Sequence, residues 1–100
     1  MEMFVGGKVD DDMWNQSYAN VKKALAINPK NPDIYILLAQ TYILKEDFKD
    51  AYLTMREAID IAPNYQSSYE YADKLLKAKP DKDFDTYVDN MKNIQTENNY

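Results

Sequence analysis

The sequence predicts an all-α chain of about five antiparallel helices, stacked as helix–turn–helix repeats, and three observations carry that expectation. Apolar residues recur at helical period in one segment after another, and no alternating strand pattern appears anywhere. Prolines punctuate the segments, at Pro29, Pro32, Pro63 and Pro80. The pattern also repeats itself: Trp14 and Phe48, Ala24 and Ala58, and Pro29 and Pro63 each stand 34 residues apart. A helix–turn–helix unit of that length cannot bury its apolar face alone, so neighbours must stack on it.

The first helix is expected to start after Asp10-Asp11-Asp12, whose carboxylates suit the positive end of a helix dipole. Trp14, Tyr18, Val21 and Leu25 form its apolar stripe, and Asn28-Pro29 stops it, because the residue before proline is pushed out of the helical region. Asn31-Pro32-Asp33 restarts a helix: Asn31 caps, Pro32 occupies the first turn where its missing N–H costs nothing, and Asp33 faces the dipole. That second helix should run to about Leu44. Lys45-Glu46 turns the chain, and Asp47 caps a third helix to about Ile61. Pro63 closes it. A fourth covers roughly residues 65–79, Pro80 breaks again, and Asp81 or Asp83 caps the last. Phe84, Tyr87, Val88, Met91 and Ile94 make the stripe of that fifth helix, which should end before a polar tail beginning near Thr96. The domain so delimited spans residues 10–96, with residues 1–9 read as a frayed linker or cloning remnant and residues 97–100 as tail.

The best unit runs from Pro32 to Tyr65. It carries Tyr35, Leu38, Ala39 and Tyr42 on its first helix, then Ala51, Met55 and Ala58 on its second, then Pro63. This set resembles the tetratricopeptide repeat (TPR) family, whose units place an aromatic, a leucine, a small residue and a second aromatic on one face, small residues where the helices cross, and a closing proline. Met55 replaces the usual aromatic, which methionine's pliable side chain tolerates. Glu46 stands where the family often has glycine. The resemblance covers about residues 11–95 as roughly two and a half units of a TPR-like α-solenoid. Upstream, Trp14, Ser17, Ala24 and Pro29 match a second helix whose own first helix is absent, so the Trp14/Tyr18 face is expected to need a cover. Residues 1–9, a second copy of the chain, or further upstream sequence could supply it. Downstream the register is open: strict spacing sets Asp73 opposite Ala39, whereas Ala72 fits if one residue is lost. Bulky Tyr87 in the last helix, where a small residue is expected, marks a terminal cap.

Composition narrows the function. The chain has 45% apolar and 29% charged residues and a net charge of −5, with no basic stripe beside its aromatics, which argues against nucleic-acid partners. It has no cysteine and no histidine, which removes thiolate and imidazole chemistry and the usual zinc ligands. No cofactor is implied. Adjacent Asp10, Asp11 and Asp12 lack the spaced ligands and glycine turn of a calcium loop. The carboxylates of Glu57 and Asp60, or of Asp81, Asp83 and Asp85, read as solvated faces rather than glycosidase acids. The longest apolar run, residues 34–39, is far short of the ~20 residues of a membrane span. The opening lacks the features of a signal peptide, and a soluble, cytoplasmic setting is the expectation.

The resemblance implies a non-catalytic protein–protein scaffold whose first helices line a concave groove. Asp33, Ile36, Gln40 and Ile43 then face the partner, joined on the fourth helix by Glu70, Lys74 and Lys77 under strict spacing, or by Tyr69 and Asp73 in the shifted register. Ile36 and Gln40 stand where a carboxylate clamp would need cations, so a mixed groove for an amphipathic helix or extended segment is expected. Tyr18, Tyr35, Tyr42, Tyr52, Tyr69 and Tyr71 are expected to be mostly interhelical contacts, with one or two serving as interface anchors. Two other readings remain open: an accessory C-terminal segment of a larger enzyme, membrane-bound ones included, and a self-association module using the Trp14/Tyr18 face.

Overall fold

A computed structural model describes residues 10–97, and its helices are α1 (Asp11–Ile27), α2 (Pro32–Ile43), α3 (Phe48–Ile61), α4 (Gln66–Ala78) and α5 (Lys82–Glu97). The described residues contain no strand. The expected linker at residues 1–9 and the last three residues of the tail lie outside the described residues. Helix α5 continues past Thr96 to Glu97, where no proline or glycine interrupts it.

Local chemistry accounts for the starts. Asp10 Oδ1 accepts from Asp12 N at 2.9 Å, Asn31 Oδ1 from Asp33 N at 2.9 Å, Asp47 Oδ1 from Asp50 N at 3.2 Å, and Asp81 Oδ1 from Phe84 N at 3.0 Å. Each satisfies an amide that the first helical turn leaves without a partner. Asp81, not Asp83, is thus the cap of α5. Tyr65 precedes α4 with no side-chain cap. The Asp47 carboxyl also raises the pKa of the Asp50 carboxyl, chiefly through a hydrogen bond between the two side chains.

Between α2 and α3 the chain reverses through Glu46, whose φ of 59° is left-handed. Glu46 N donates to Ile43 O at 2.8 Å and Asp47 N to Tyr42 O at 3.0 Å, the paired bonds of a Schellman ending. Glycine adopts that φ without the steric cost a Cβ carries. Glu46→Gly is therefore expected to stabilise the fold by about 0.5 kcal/mol, raising the melting temperature by roughly 3 °C in a thermal scan.

The core joins Ala39 of α2 to Ala51, Tyr52, Met55, Ala58 and Ile59 of α3, Tyr69, Ala72 and Leu75 of α4, and Phe84 and Val88 of α5. Ala39, Ala51 and Ala58 have no exposed surface, and Leu38 is buried beside them. With small residues at these positions, α2 and α3 make the most extensive helix pair in the fold. Burying side chains such as Met55 and Ile59 contributes about 1.5–3 kcal/mol each. Further packing links α1 to α2, α2 to α4, α3 to α4, and α4 to α5.

The 34-residue interval of the sequence reappears as repeated contacts. The Tyr35 hydroxyl donates to Pro29 O at 3.1 Å, and that of Tyr69 to Pro63 O at 2.6 Å. Lys45 Nζ lies 4.4 Å from the Trp14 ring centre, and Lys79 Nζ 5.8 Å from that of Phe48. These recurrences settle the register of α4. No residue is lost before Tyr69, yet Asp73 lies on the exposed side, where Lys92 Nζ donates to both its oxygens at 3.0 and 3.1 Å. Ala72, fully buried, takes the small-residue place, and Ser68 one turn earlier is fully buried with its Oγ unpaired.

Two expectations about the ends are corrected. Ile94, assigned to the stripe of α5, is half exposed, while Phe84 and Val88 are buried and Tyr87 and Met91 pack beside them. Among the described residues no helix follows α5 to pack against that side. At the other end the Trp14/Tyr18 face already has a cover: α2. Trp14 Nε1 donates to Thr41 O at 2.6 Å, its ring stacks on Tyr18 at 5.0 Å and meets Tyr42 at 6.3 Å. Lys45 closes the top and pairs with Asp11 at 3.3 Å.

Candidate functional site

Helices α2 and α4 are the first helices of successive units and pack side by side, so a face common to both is continuous. On α2 the spacing of Asp33, Ile36, Gln40 and Ile43 keeps them on one side of the helix. Asp33 and Gln40 are exposed, while Ile36 and Ile43 are half-buried and packed against the core. On α4, Glu70, Lys74 and Lys77 are all exposed. Acid lies towards the starts of both helices, at Asp33 and Glu70, and base lies towards the end of α4 alone, at Lys74 and Lys77. The rise of ~1.5 Å per residue puts Glu70 about 10 Å from Lys77 along the axis.

The face is braced at its acidic end. The Tyr65 hydroxyl, just before α4, donates to Asp33 Oδ1 at 2.6 Å, and that bond leads in raising the phenol's pKa. This tie between units was not foreseen, because nothing in the spacing of residues 33 and 65 announces it. At the basic end Lys77 borders a shallow hollow with Leu76, Pro80 and Asp85.

The residues proposed from a shifted register do not join this face. Tyr69 is 1% exposed and its hydroxyl is held by Pro63, so it is core. Asp73 is turned towards α5, where Lys92 binds it.

The remaining tyrosines are mainly interhelical contacts. Tyr52 is buried, its ring centre 4.8 Å from that of Phe84, and its hydroxyl donates to Lys79 O. Tyr87 donates to the Asp60 carboxylate and, at 3.2 Å, to Arg56 O, beneath the Arg56 guanidinium. Burial first, then the Asp60 bond, raises its phenol well above the usual range. Tyr42 is raised likewise by burial and by the Tyr18 hydroxyl 3.5 Å away. Aromatic spacing could have found Lys45 and Lys79, the cations over Trp14 and Phe48, since these lysines are themselves 34 residues apart.

Carboxylates considered as acid–base groups have structural partners or face solvent. Asp60 accepts from Tyr87, Asp81 caps α5, and Glu57, Asp83 and Asp85 are exposed. Among the described residues no group of three acidic side chains is placed to hold a metal ion, and no helix is long and apolar enough to cross a membrane.

Searches of curated proteins and of solved structures returned no match. The family model described as tetratricopeptide repeat matches residues 9–79, the stretch from the start of α1 through α4. The repeat is in general a non-catalytic module of protein–protein contact, and this chain, whose paired helices, closing prolines and interval accord with that match, belongs to the tetratricopeptide repeat family.

Proposed function

We propose that the common face of α2 and α4 binds an amphipathic helix or extended segment of a partner protein, and that the chain holds this partner without acting on it chemically. What supports the reading is the pair of half-buried Ile36 and Ile43 on α2, with exposed acids at Asp33 and Glu70 and exposed bases at Lys74 and Lys77 on α2 and the adjoining α4. Apolar centres give a partner something to desolvate, while charged rims set its direction. A partner oriented by these ends presents a basic residue near Asp33 and Glu70 and acidic residues near Lys74 and Lys77. The lack of histidine and cysteine in the sequence supports a holding role.

Ile36→Glu combined with Gln40→Arg removes the apolar centre, but Ile36 also packs against the core, so lost binding could follow lost folding. Lys74→Glu with Lys77→Glu avoids that problem because both side chains are exposed. Used as bait in quantitative affinity capture from the source cell, this double variant is expected to recover at least about tenfold less partner than the parent, a difference of ~1.4 kcal/mol. Helicity should be unchanged. Equal recovery by both baits would overturn the reading.

A further inference from the structure

A groove between α3 and the start of α5 carries a separate inference. It holds about 450 Å³, and three of the chain's 12 cations, Lys49, Arg56 and Lys79, converge on it. Phe48, Leu53 and Pro80 give it apolar wall, and Leu53 is 51% exposed. No residue of the face common to α2 and α4 lines it.

The preceding unit shows what these cations are placed to receive. Lys45 and Lys79 stand 34 residues apart, and each lies over the matching aromatic ring, Trp14 at 4.4 Å and Phe48 at 5.8 Å. Lys45 is completed by an acid, the Asp11 carboxylate at 3.3 Å. One unit on, the place of Asp11 is taken by Lys45 itself, so the repeat brings no acid to Lys79. At the same time Asn15 becomes Lys49, which adds a cation where an acid is lost. Among the described residues Lys49, Arg56 and Lys79 form no ion pair.

The positive charge is local. The chain carries −5, and the hollow lined by α1, α2 and α3 sets Lys22 against Asp50 and Glu57. In the α3–α5 groove the three cations outnumber Asp81 and Asp83, and an Asp81 oxygen is committed to Phe84 N. A small positive excess on an acidic chain repels a polyanion from all but one spot, whereas nucleic acid requires a basic stripe. Carboxylate side chains beside an apolar one fit both the cations and the wall. The repeat's own continuation does not. Units before α1 would stack on α1 and units after α5 on α5, and neither course passes over the groove between α3 and α5.

We infer that the α3–α5 groove binds an acidic segment of a second protein, whose carboxylates pair with Lys49, Arg56 and Lys79 while a leucine or phenylalanine between them lies against Phe48, Leu53 and Pro80. This surface is separate from the face of α2 and α4, so the chain has two places at which to hold a partner.

The probe is a fluorescein-labelled peptide, Asp-Glu-Leu-Asp-Asp-Phe-Glu-Asp, titrated into the 100-residue chain and followed by anisotropy. Saturable binding is expected, weakening as salt is raised. Lys49→Glu combined with Lys79→Glu should weaken it at least about tenfold, and Leu53→Ser about threefold. All three positions are exposed, and circular dichroism verifies that each variant folds. Lys74→Glu with Lys77→Glu makes the same change in net charge on the other face and should bind as the parent does. A peptide with lysine at every acidic place should not bind. Failure to saturate, equal binding by the Lys49/Lys79 variant and parent, or an equal loss in the Lys74/Lys77 variant would each overturn the inference. So would equal binding of an oligothymidylate, which would assign the cations to nucleic acid. Sedimentation showing a dimer that the Lys49/Lys79 variant dissolves would overturn it too, since the groove would then hold acids of a second copy. The chain at its native length, in extract of the source cell, should also take up the peptide; refusal there would mean that its own sequence fills the groove, and the inference would fall. Because the Lys74/Lys77 variant should retain the peptide, failure here and failure of the face proposed above are distinguishable.

Discussion

Ala58→Phe is expected to destabilise the fold by about 3 kcal/mol, the upper end for overpacking, and to lower the melting temperature by roughly 15 °C. The cause is the absence of space. Ala58 has no exposed surface and lies in the cluster with Ala39, Ala51 and Met55, where α2 and α3 make their most extensive contact. A phenyl ring there must either push α2 away or force its neighbours out of their rotamers. Both responses open the central pair on which α1 and α4 also pack. Ellipticity and the fluorescence of Trp14, the single tryptophan, should therefore fall together. Glu57→Phe, one residue earlier and exposed, is the control and should stay within about 0.5 kcal/mol of the parent. If Ala58→Phe melted as the control does, the proposed crossing of α2 and α3 would be wrong.

The residues that made this crossing legible act through local rules. Asn31-Pro32-Asp33 marks the start of a helix because capping and the fixed proline angle are properties of three adjacent residues. Asp10 and Asp47 announce α1 and α3 for similar reasons. The recurrence of Ala24 at Ala58 and of Pro29 at Pro63 added the pairing of helices, since an interval repeated in the chain becomes a displacement repeated in space. Where two adjacent residues competed for one structural place, such rules had nothing to choose with. Ala72 and Asp73 both lie near the expected small-residue position. The choice follows from how α4 packs into the core, which buries Ala72 and leaves the charge of Asp73 at the surface, where Lys92 reaches it. Ile94 fits the stripe of α5 by period, but burial needs a neighbour, and period carries no information about one.

The candidate faces divide along the same line. That Asp33, Ile36, Gln40 and Ile43 share a side of α2 follows from helical geometry. Tyr65 gripping Asp33, and the depth to which Ile36 sinks, follow from how α4 leans on α2. The open hollow between α1 and α2, lined by Ser17, Val21, Leu37 and Thr41, was missed for a further reason. Ser17 and Leu37 have no unusual chemistry, and their interest arises from comparison with Ala51 and Tyr71 one unit on, in positions where the corresponding hollow is filled. Attention to Trp14 and Tyr18 drew the open face to the wrong side of α1, because large aromatics invite the assumption that they need a cover. The residues that lack a cover are the small ones.

Phe84→Ala tests whether the stack is a set of coupled units or a single block. Phe84 is 1% exposed, with ring centres of Tyr52 at 4.8 Å and Tyr87 at 6.4 Å, and truncating such a ring costs about 3–5 kcal/mol through lost transfer energy and the cavity left behind. In a stack of nearest neighbours that cost falls on the terminal element that bears the ring. Helix α5 should then undock first, removing the ellipticity of its 16 residues, while α1 to α4 hold. Trp14 lies at the opposite end, bound to Thr41 and stacked on Tyr18, so its fluorescence should report an almost unshifted melt. Two separated transitions in the variant, one seen by circular dichroism alone and one by both probes, are the expected result. If both probes moved together by the full amount, the terminal helix would be part of one cooperative block. The nearest-neighbour account of this stack would then fail, even with every helix in its place.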